Sequence, residues 1–282
     1  MIKSSWLLFF LFFLVSELFC QTELKVMSYN IRYDAPNDGD NVWEIRKEKL
    51  SALMAYYYVD FIGTQEVQHH QLEYLLEKLP THSFIGVGRA DGKKDGEYSA
   101  ILYNKERWKP VKQETFWLSP TPSVPSKGWD AAYERILTYG LFECKKSKKF
   151  IWVLNTHFDH VGKVARFQSA QIIVNKIKEL KDIKNCPVVF MGDLNARPDE
   201  NTIVLLNQHL KDAREVSEFP AYGPEDTWNA FQFSKKPNGR IDYIFIKESS
   251  SVKVKRFATI DDFYDFKYPS DHLPVLAHIQ LK

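Results

Sequence analysis

The sequence predicts a fold of mixed α/β class, and three observations carry that assignment. Short apolar strands alternate with segments of helical periodicity along most of the chain. No short-period repeat and no flexible linker divides it. Its 282 residues, 44% hydrophobic and 26% charged, suffice for a sizeable core and exclude intrinsic disorder. Residues 21–282 are expected to form one domain.

The first expected strand is Leu24–Tyr29. A polar loop, Asp34–Asn41, leads to a helix at Trp43–Tyr57, where apolar residues recur at helical spacing. Val59–Thr64 reads as a short apolar strand, and Gln68–Lys78 as a helix stopped by Pro80. Glu97–Tyr103 and Lys109–Trp117 look like paired strands. Prolines at 120, 122 and 125 make Ser119–Lys127 a surface loop. Leu137–Cys144 and Phe150–Thr156 are strands around a Lys-rich turn, followed by an amphipathic helix at Arg166–Leu180. Val188–Met191 is a buried strand, Thr202–Leu210 a helix, and Ile241–Ile246 and Val275–Gln280 the closing strands.

Residues 1–20 differ from the rest. Lys3 precedes an unbroken run of ten apolar residues, Trp6–Val15. Crossing a bilayer takes about twenty such residues. Ten suits a secretory signal, so export is expected, with the mature chain starting near Gln21 and no transmembrane span in it. Bulky Phe19 weakens lipid anchoring through Cys20, the minority alternative. Cys144 and Cys186 remain, and an oxidising compartment permits but does not require their pairing. No zinc-type Cys/His spacing is present. The net charge of +2 is far from that of a nucleic-acid coat protein.

Polar residues gather where the expected strands end. Asn30 follows the first strand and Glu66 follows Gln65 after the second. His157 ends a third, and Gly192-Asp193-Leu194-Asn195 ends a fourth. Asp242 opens a strand, and Ser270-Asp271-His272 precedes the last. Taken singly, each has a structural reading as a turn former or helix cap. Jointly they form an oxygen-rich set with two imidazoles. Such a set suits Mg²⁺ or Mn²⁺ and metal-assisted attack on a phosphate ester.

The segments Val26–Asn30, Thr64–Glu66, Asn155–His157, Gly192–Asn195, Arg240–Tyr243 and Ser270–His272 occur in one order. In that order they resemble the endonuclease/exonuclease/phosphatase superfamily, here a secreted, bacterial-type, deoxyribonuclease-like member. The resemblance covers Leu24 to Lys282 and implies a four-layer αββα sandwich, with two mixed sheets face to face and helices outside. It implies that Glu66, Asn30 and Asp271 hold the metal. It makes His272 the general base with Asp242 as its partner. It sets Asp193 and Asn195 against the nucleophile and phosphate. His157 becomes an imidazolium that stabilises the transition state, with Glu97 paired to it.

Three further residues bear on substrate. Arg135 offers bidentate contact to phosphate or a salt bridge with Glu134 or Asp130. Arg166 offers a phosphate contact or points to solvent. Trp228 offers a stacking face or belongs to the core. The clusters Lys145–Lys149 and Lys253–Arg256 read as solvated turns and strand ends. The expected activity is a metal-dependent phosphodiesterase or nuclease, monomeric, with nucleic acid as a candidate substrate. The alternatives are a phosphomonoesterase, a sphingomyelinase or inositol-phosphate type of hydrolase, and a non-catalytic binding module.

Overall fold

The computed structural model describes residues 22–247 and 251–282. The expected export signal at 1–20 lies outside them. Two six-stranded mixed sheets face each other. Sheet I contains β1 (Thr22–Asn30), β2 (Phe61–Gln65), β3 (His82–Ile85) and β4 (Ile101–Asn104), together with β11 (Val252–Thr259) and β12 (Val275–Leu281). Its order is β11-β12-β1-β2-β4-β3. Sheet II contains β5 (Trp108–Trp117), β6 (Ile136–Cys144), β7 (Phe150–His157), β8 (Val188–Asp193), β9 (Lys211–Asp212) and β10 (Asp242–Ile246), in the order β5-β6-β7-β8-β10-β9. Each sheet has one parallel pair, β1–β2 and β7–β8. Each pair is joined by a helix, α1 (Trp43–Tyr57) or α3 (Lys163–Ile183). The other helices are α2 (His69–Lys78) and α4 (Asn201–His209). No helix among the described residues is long and apolar enough to cross a membrane.

Strand alternation produces the layers. On β1, Leu24 and Val26 join the core between the sheets, whereas Met27 and Tyr29 pack with α1 and α2. On β8, Val189 and Met191 point to the other sheet, and Val188 and Phe190 to α3 and α4. β7 and β10 repeat the pattern, with Val153 and Ile244 inward and Leu154 and Phe245 outward. The same parity puts Asn30, Asn155, His157, Asp193 and Asp242 on the inner faces. The seam between the sheets is therefore apolar along most of its length and polar at one end. At the apolar end Phe61, Trp108 and Phe142 meet with ring centroids 4.9–5.0 Å apart, each ring stabilising by roughly 1.5–3 kcal/mol on burial.

The two strands expected to pair, Glu97–Tyr103 and Lys109–Trp117, lie in different sheets. β4 pairs with β2 and β3, and β5 with β6. Three residues cross between sheets here, and the Trp108 indole donates at 2.8 Å to Asp60, the residue before β2 of the opposite sheet. The Lys253–Arg256 cluster sits within β11 rather than at a strand end. A bulge between Val254 and Arg256 breaks its alternation, which hides the strand in the sequence. Cys144 and Cys186 are both free.

Gly63 lies where the sheets approach. A Cβ there would meet Asn155 Oδ1 at 2.7 Å and the Met191 methyl at 2.8 Å. Asn155 cannot yield easily, because its amide donates to Thr64 O (3.0 Å) and Ala100 O (2.8 Å) and accepts from Gln65 (2.7 Å). Gly63→Ala is expected to destabilise by about 1–3 kcal/mol, read as a lower urea midpoint with an unchanged slope.

Candidate active site

The polar end of the seam gathers residues from both sheets. In sheet II the backbone register sets three of them in a row across adjacent strands. His157 is opposite Asp193, and Asp193 is opposite Asp242. In sheet I the parallel strands β1 and β2 end together, with Asn30 opposite Gln65. Glu66 follows in a left-handed conformation (φ 61°), and Asn195 takes the same region (φ 46°) after β8. Each such residue costs about 1 kcal/mol or more. Gly192 before them is imposed by strand spacing, since a Cβ would lie 2.2 Å from Thr156 O.

Asn30 joins the sheets. Its Nδ2 donates to Glu66 Oε1 at 3.0 Å and to Asp193 Oδ2 at 2.9 Å, while its Oδ1 accepts the Arg32 N–H at 3.0 Å. Asn30 thus presents nitrogen rather than oxygen to the carboxylates, unlike the oxygen ligand expected from the sequence. The other oxygen of Glu66 accepts from Tyr33 N–H at 3.2 Å and lies 3.8 Å from Arg32. Ser270 Oγ donates to Asn30 O at 2.7 Å, which ties the Asp271-His272 segment to the end of β1.

His272 and Asp242 form the expected pair. Nδ1 lies 2.9 Å from Asp242 Oδ2, and Nε2 lies 3.7 Å from Asp193 Oδ2. Burial opposes a charge on this ring, but Asp242 and Asp193 outweigh it and hold the His272 pKa well above the ordinary value. Thr227 completes the pair. Its hydroxyl donates to Asp242 Oδ2 at 2.6 Å and accepts the Ile241 and Asp242 N–H groups at 3.1 Å. Thr227 was not anticipated, although it stands beside Trp228 in the sequence. An isolated backbone bridge links Trp228 to His272, and its indole is 38% exposed, so it lies outside the core.

The surroundings of His157 oppose the expected imidazolium. Burial, and then the charges of Arg135 and Arg89, push its pKa well below the ordinary value and favour the neutral ring. Asn195 Nδ2 donates to its Nε2 at 3.0 Å, and the same nitrogen lies 3.4 Å from Asp193. The Nδ1 atom has no hydrogen-bond partner. Glu97 lines the same small gap as His157. It does not bond the histidine as expected, because its carboxylate accepts from Arg89 at 2.8 Å.

The two arginines turn inward. Arg135 pairs with buried Asp159 at 3.2 Å and reaches His160 Nδ1 at 3.1 Å, neither of which the sequence singled out; one of its nitrogens, Nη1, has no partner. Burial opposes ionisation of Asp159, yet the Gly162 and Ala132 N–H groups and Arg135 hold its pKa below the usual range. Arg166 is not solvent-facing. It donates to Asp159 O at 3.0 Å and to Glu200 at 3.2 Å.

The donors fit a hard divalent cation in chemistry and in charge. Asp193, Asp242 and His272 place ligand atoms within 4.8 Å of one another, but Asp242 and His272 are committed to each other, which leaves Asp193 with Glu66 and Asp271, whose charges act on one another, as the carboxylates open to a cation. Burial and then Asp242 push the Asp193 carboxyl up to about 7. Burial also raises Asp271; His272 pulls it back, and the Glu66 charge raises it further. Buried carboxylates that repel one another are what a bound cation relieves.

These shifts set a pH dependence. The folded-state pKa of Asp193 lies above that of the unfolded chain, about 4. Its ionisation therefore subtracts stability, starting near pH 4 and complete above about pH 7. In EDTA the thermal midpoint is expected to fall across that window, and Asp193→Asn to flatten the fall. Equal slopes for both proteins would remove Asp193 as the source.

Comparison with known proteins agrees with this geometry. The profile of the Endonuclease/Exonuclease/phosphatase family matches residues 27–272. An endonuclease/exonuclease/phosphatase family protein from Bacteroides thetaiotaomicron is 37% identical, covering 93% of this chain and 96% of its own, with a TM-score of 0.89. A mannosyl-6-phosphatase from the same organism is 37% identical, covering 91% and 99%, with a TM-score of 0.87. A family protein from Bacteroides vulgatus is 36% identical, covering 93% and 100%, with a TM-score of 0.86. The two facing mixed sheets, the polar end of their seam and the matched span lead to one assignment: the chain belongs to the endonuclease/exonuclease/phosphatase family of phosphate-ester hydrolases.

Proposed function

We propose that the protein is a divalent-metal-dependent phosphomonoesterase acting on a phosphorylated sugar. The observation that carries this reading is the 37% identity to the Bacteroides thetaiotaomicron mannosyl-6-phosphatase over 91% of the chain. The placement of charge supports it over the nuclease first favoured by the sequence. Lys145–Lys149 precede β7, whose far end is His157. Lys253 and Val254 pair with Gln280 and Ile279, at the end of β12 remote from His272. The basic clusters thus flank the end of the sandwich opposite the site, and Arg166 is held by internal contacts. A polynucleotide would need positive charge along its path into the site.

On this reading Glu66 and Asp271 would hold the cation, with Asp193 beside them. Asn30 and the Tyr33 N–H would fix the Glu66 carboxylate. The cation would supply charge to polarise the phosphoryl oxygens. Asp242 and Thr227 orient His272, so that Nδ1 is committed and Nε2 faces the seam, where the unprotonated ring would position water and take its proton. Neutral His157, steadied by Asn195, would contact a phosphoryl oxygen without adding charge. Residues 1–20 would direct export, and 21–282 would form the catalytic domain.

Phosphate release from mannose 6-phosphate, other sugar phosphates, DNA, RNA, sphingomyelin and inositol phosphates tests the reading. Turnover of sugar monoesters is expected, abolished by EDTA and restored by Mg²⁺ or Mn²⁺. His272→Ala is expected to lower kcat by about a hundredfold or more with the fold retained. Preference for a nucleic acid would overturn the assignment.

A further inference from the structure

The end of the sandwich opposite the candidate site carries charge that the reaction does not use. Strands or helices begin and end there at residues 22–23, 104–108, 143–149, 181–187 and 247. Among the described residues these segments hold nine Lys and Arg against Glu23, Glu106, Glu143 and Asp182. Two of those carboxylates are engaged, Glu23 with His278 at 3.3 Å and Glu143 with Lys148 at 3.5 Å. Asp60, buried beside them, pairs with Arg107. The whole chain has a net charge of only +2, so positive charge gathers at this end while the carboxylates of the site lie at the other.

The basic end is also concave. Lys149, Lys181, Lys184 and Lys247 line a cavity of about 460 Å³, with Phe150 on its wall. Lys184 holds its ammonium 4.3 Å over that ring, and Lys247 donates to His209 O at 2.7 Å. Neither contact cancels a positive charge. Beside them Ile183, the last residue of α3, is 55% exposed. Several ammoniums around a hollow, with one apolar side chain protruding, suit phosphate headgroups at the boundary of an acyl layer. The chain enters the fold at the same end. Thr22 pairs with Leu281, and its hydroxyl donates at 2.7 Å to Ser147 Oγ, within the turn Lys145–Lys149. Only Gln21 separates Thr22 from the segment 1–20 and its apolar run Trp6–Val15. A membrane that takes up that run therefore meets the basic end first.

We propose that this basic end docks on an anionic phospholipid bilayer, the one that receives the apolar run, with the candidate site directed away from it. Charge and connectivity choose the occupant together. A soluble polyanion would satisfy the lysines but would leave unexplained the apolar run that leads out beside them. An apolar segment held in the bilayer keeps the face at the lipid surface, so that weak contacts from single lysines add up. Each lysine near an anionic surface then strengthens docking by about fivefold. The polar end of the seam opens to the aqueous side, where a water-soluble substrate diffuses. The inference goes beyond the sugar-phosphatase reading and does not depend on it.

The test measures cosedimentation of the full chain with vesicles of phosphatidylcholine alone and of phosphatidylcholine mixed with phosphatidylglycerol. The ratio of the two affinities cancels the contribution of the apolar run. One variant combines Lys145→Glu, Lys146→Glu and Lys184→Glu. A control makes the same change of charge in loops at the site end, with Lys94→Glu, Lys127→Glu and Lys235→Glu; all six lysines are exposed. The wild type is expected to prefer the phosphatidylglycerol vesicles, less so as salt rises. The first variant should lose about a hundredfold of that preference, at about fivefold per lysine, and the control should keep it. Amine acylation of the wild type supplies a readout that needs no variant. Phosphatidylglycerol vesicles should shield Lys145, Lys146 and Lys184 and leave Lys94, Lys127 and Lys235 reactive. No preference for phosphatidylglycerol, an equal loss in both variants, or equal shielding of both sets would overturn the proposal. So would binding of dextran sulfate through Lys145, Lys146 and Lys184 without a vesicle preference, which would reassign the face to a soluble polyanion.

Discussion

Everything at the candidate site follows from one constraint: two sheets packed face to face must bury polar atoms at one end of their shared seam. Water cannot satisfy groups held there, so they must satisfy one another. Asn30 does so by bridging Glu66 of one sheet and Asp193 of the other. Gln65 and Asn155 perform the same service one layer deeper, with Ser28 and the Thr64 and Ala100 carbonyls. Gly63 is the concession that makes room for the deeper set, in which Gln65 Oε1 alone of these amide atoms lacks a partner. The outer set is also incompletely satisfied. Asp242 Oδ1 and His157 Nδ1 lack partners, as expected of groups whose partner is a substrate or an ion.

The two histidines show how neighbours decide charge at equal burial. His272 faces Asp242 and Asp193 and stays protonated more readily than a free imidazole. His157 stands near Arg135 and Arg89 and is driven neutral. Asp193 lies close to both rings, within 3.4–3.7 Å. The site is thereby polarised, with one ring drawn toward its charged form and the other toward its neutral form. Such an asymmetry divides proton handling from oxygen contact.

The sequence discloses most of the strands and the residues at their ends, because period-two alternation survives wherever a strand is regular. It fails at β11, where a bulge sets Lys255 and Arg256 side by side, and at β3, which is four residues long. It mispairs β4 with β5, because a short connection suggests a hairpin and only tertiary contact reveals a crossing between sheets. Among site residues, His272 with Asp242 was legible through the family resemblance of Arg240–Tyr243 and Ser270–His272. Thr227 was not, because a lone Thr carries no signature, and its role exists only through a 2.6 Å contact with Asp242. The neutrality of His157 was equally hidden, since Arg135 and Arg89 reach it through space rather than along the chain.

The two sheets share one strand order, with β11 and β12 standing in sheet I where β5 and β6 stand in sheet II. In sheet II those strands come before the central parallel pair. In sheet I they come from the other end of the chain, and β12 pairs with β1 over seven residue positions. β1 therefore lacks its β12 neighbour until the chain has been synthesised through Leu281. Sheet II and its helices have all their parts earlier. Asn30 and His272, 242 positions apart in sequence, come together in that last closure. A nascent chain that stops short of β12 thus holds half a seam, and the candidate site waits on β12.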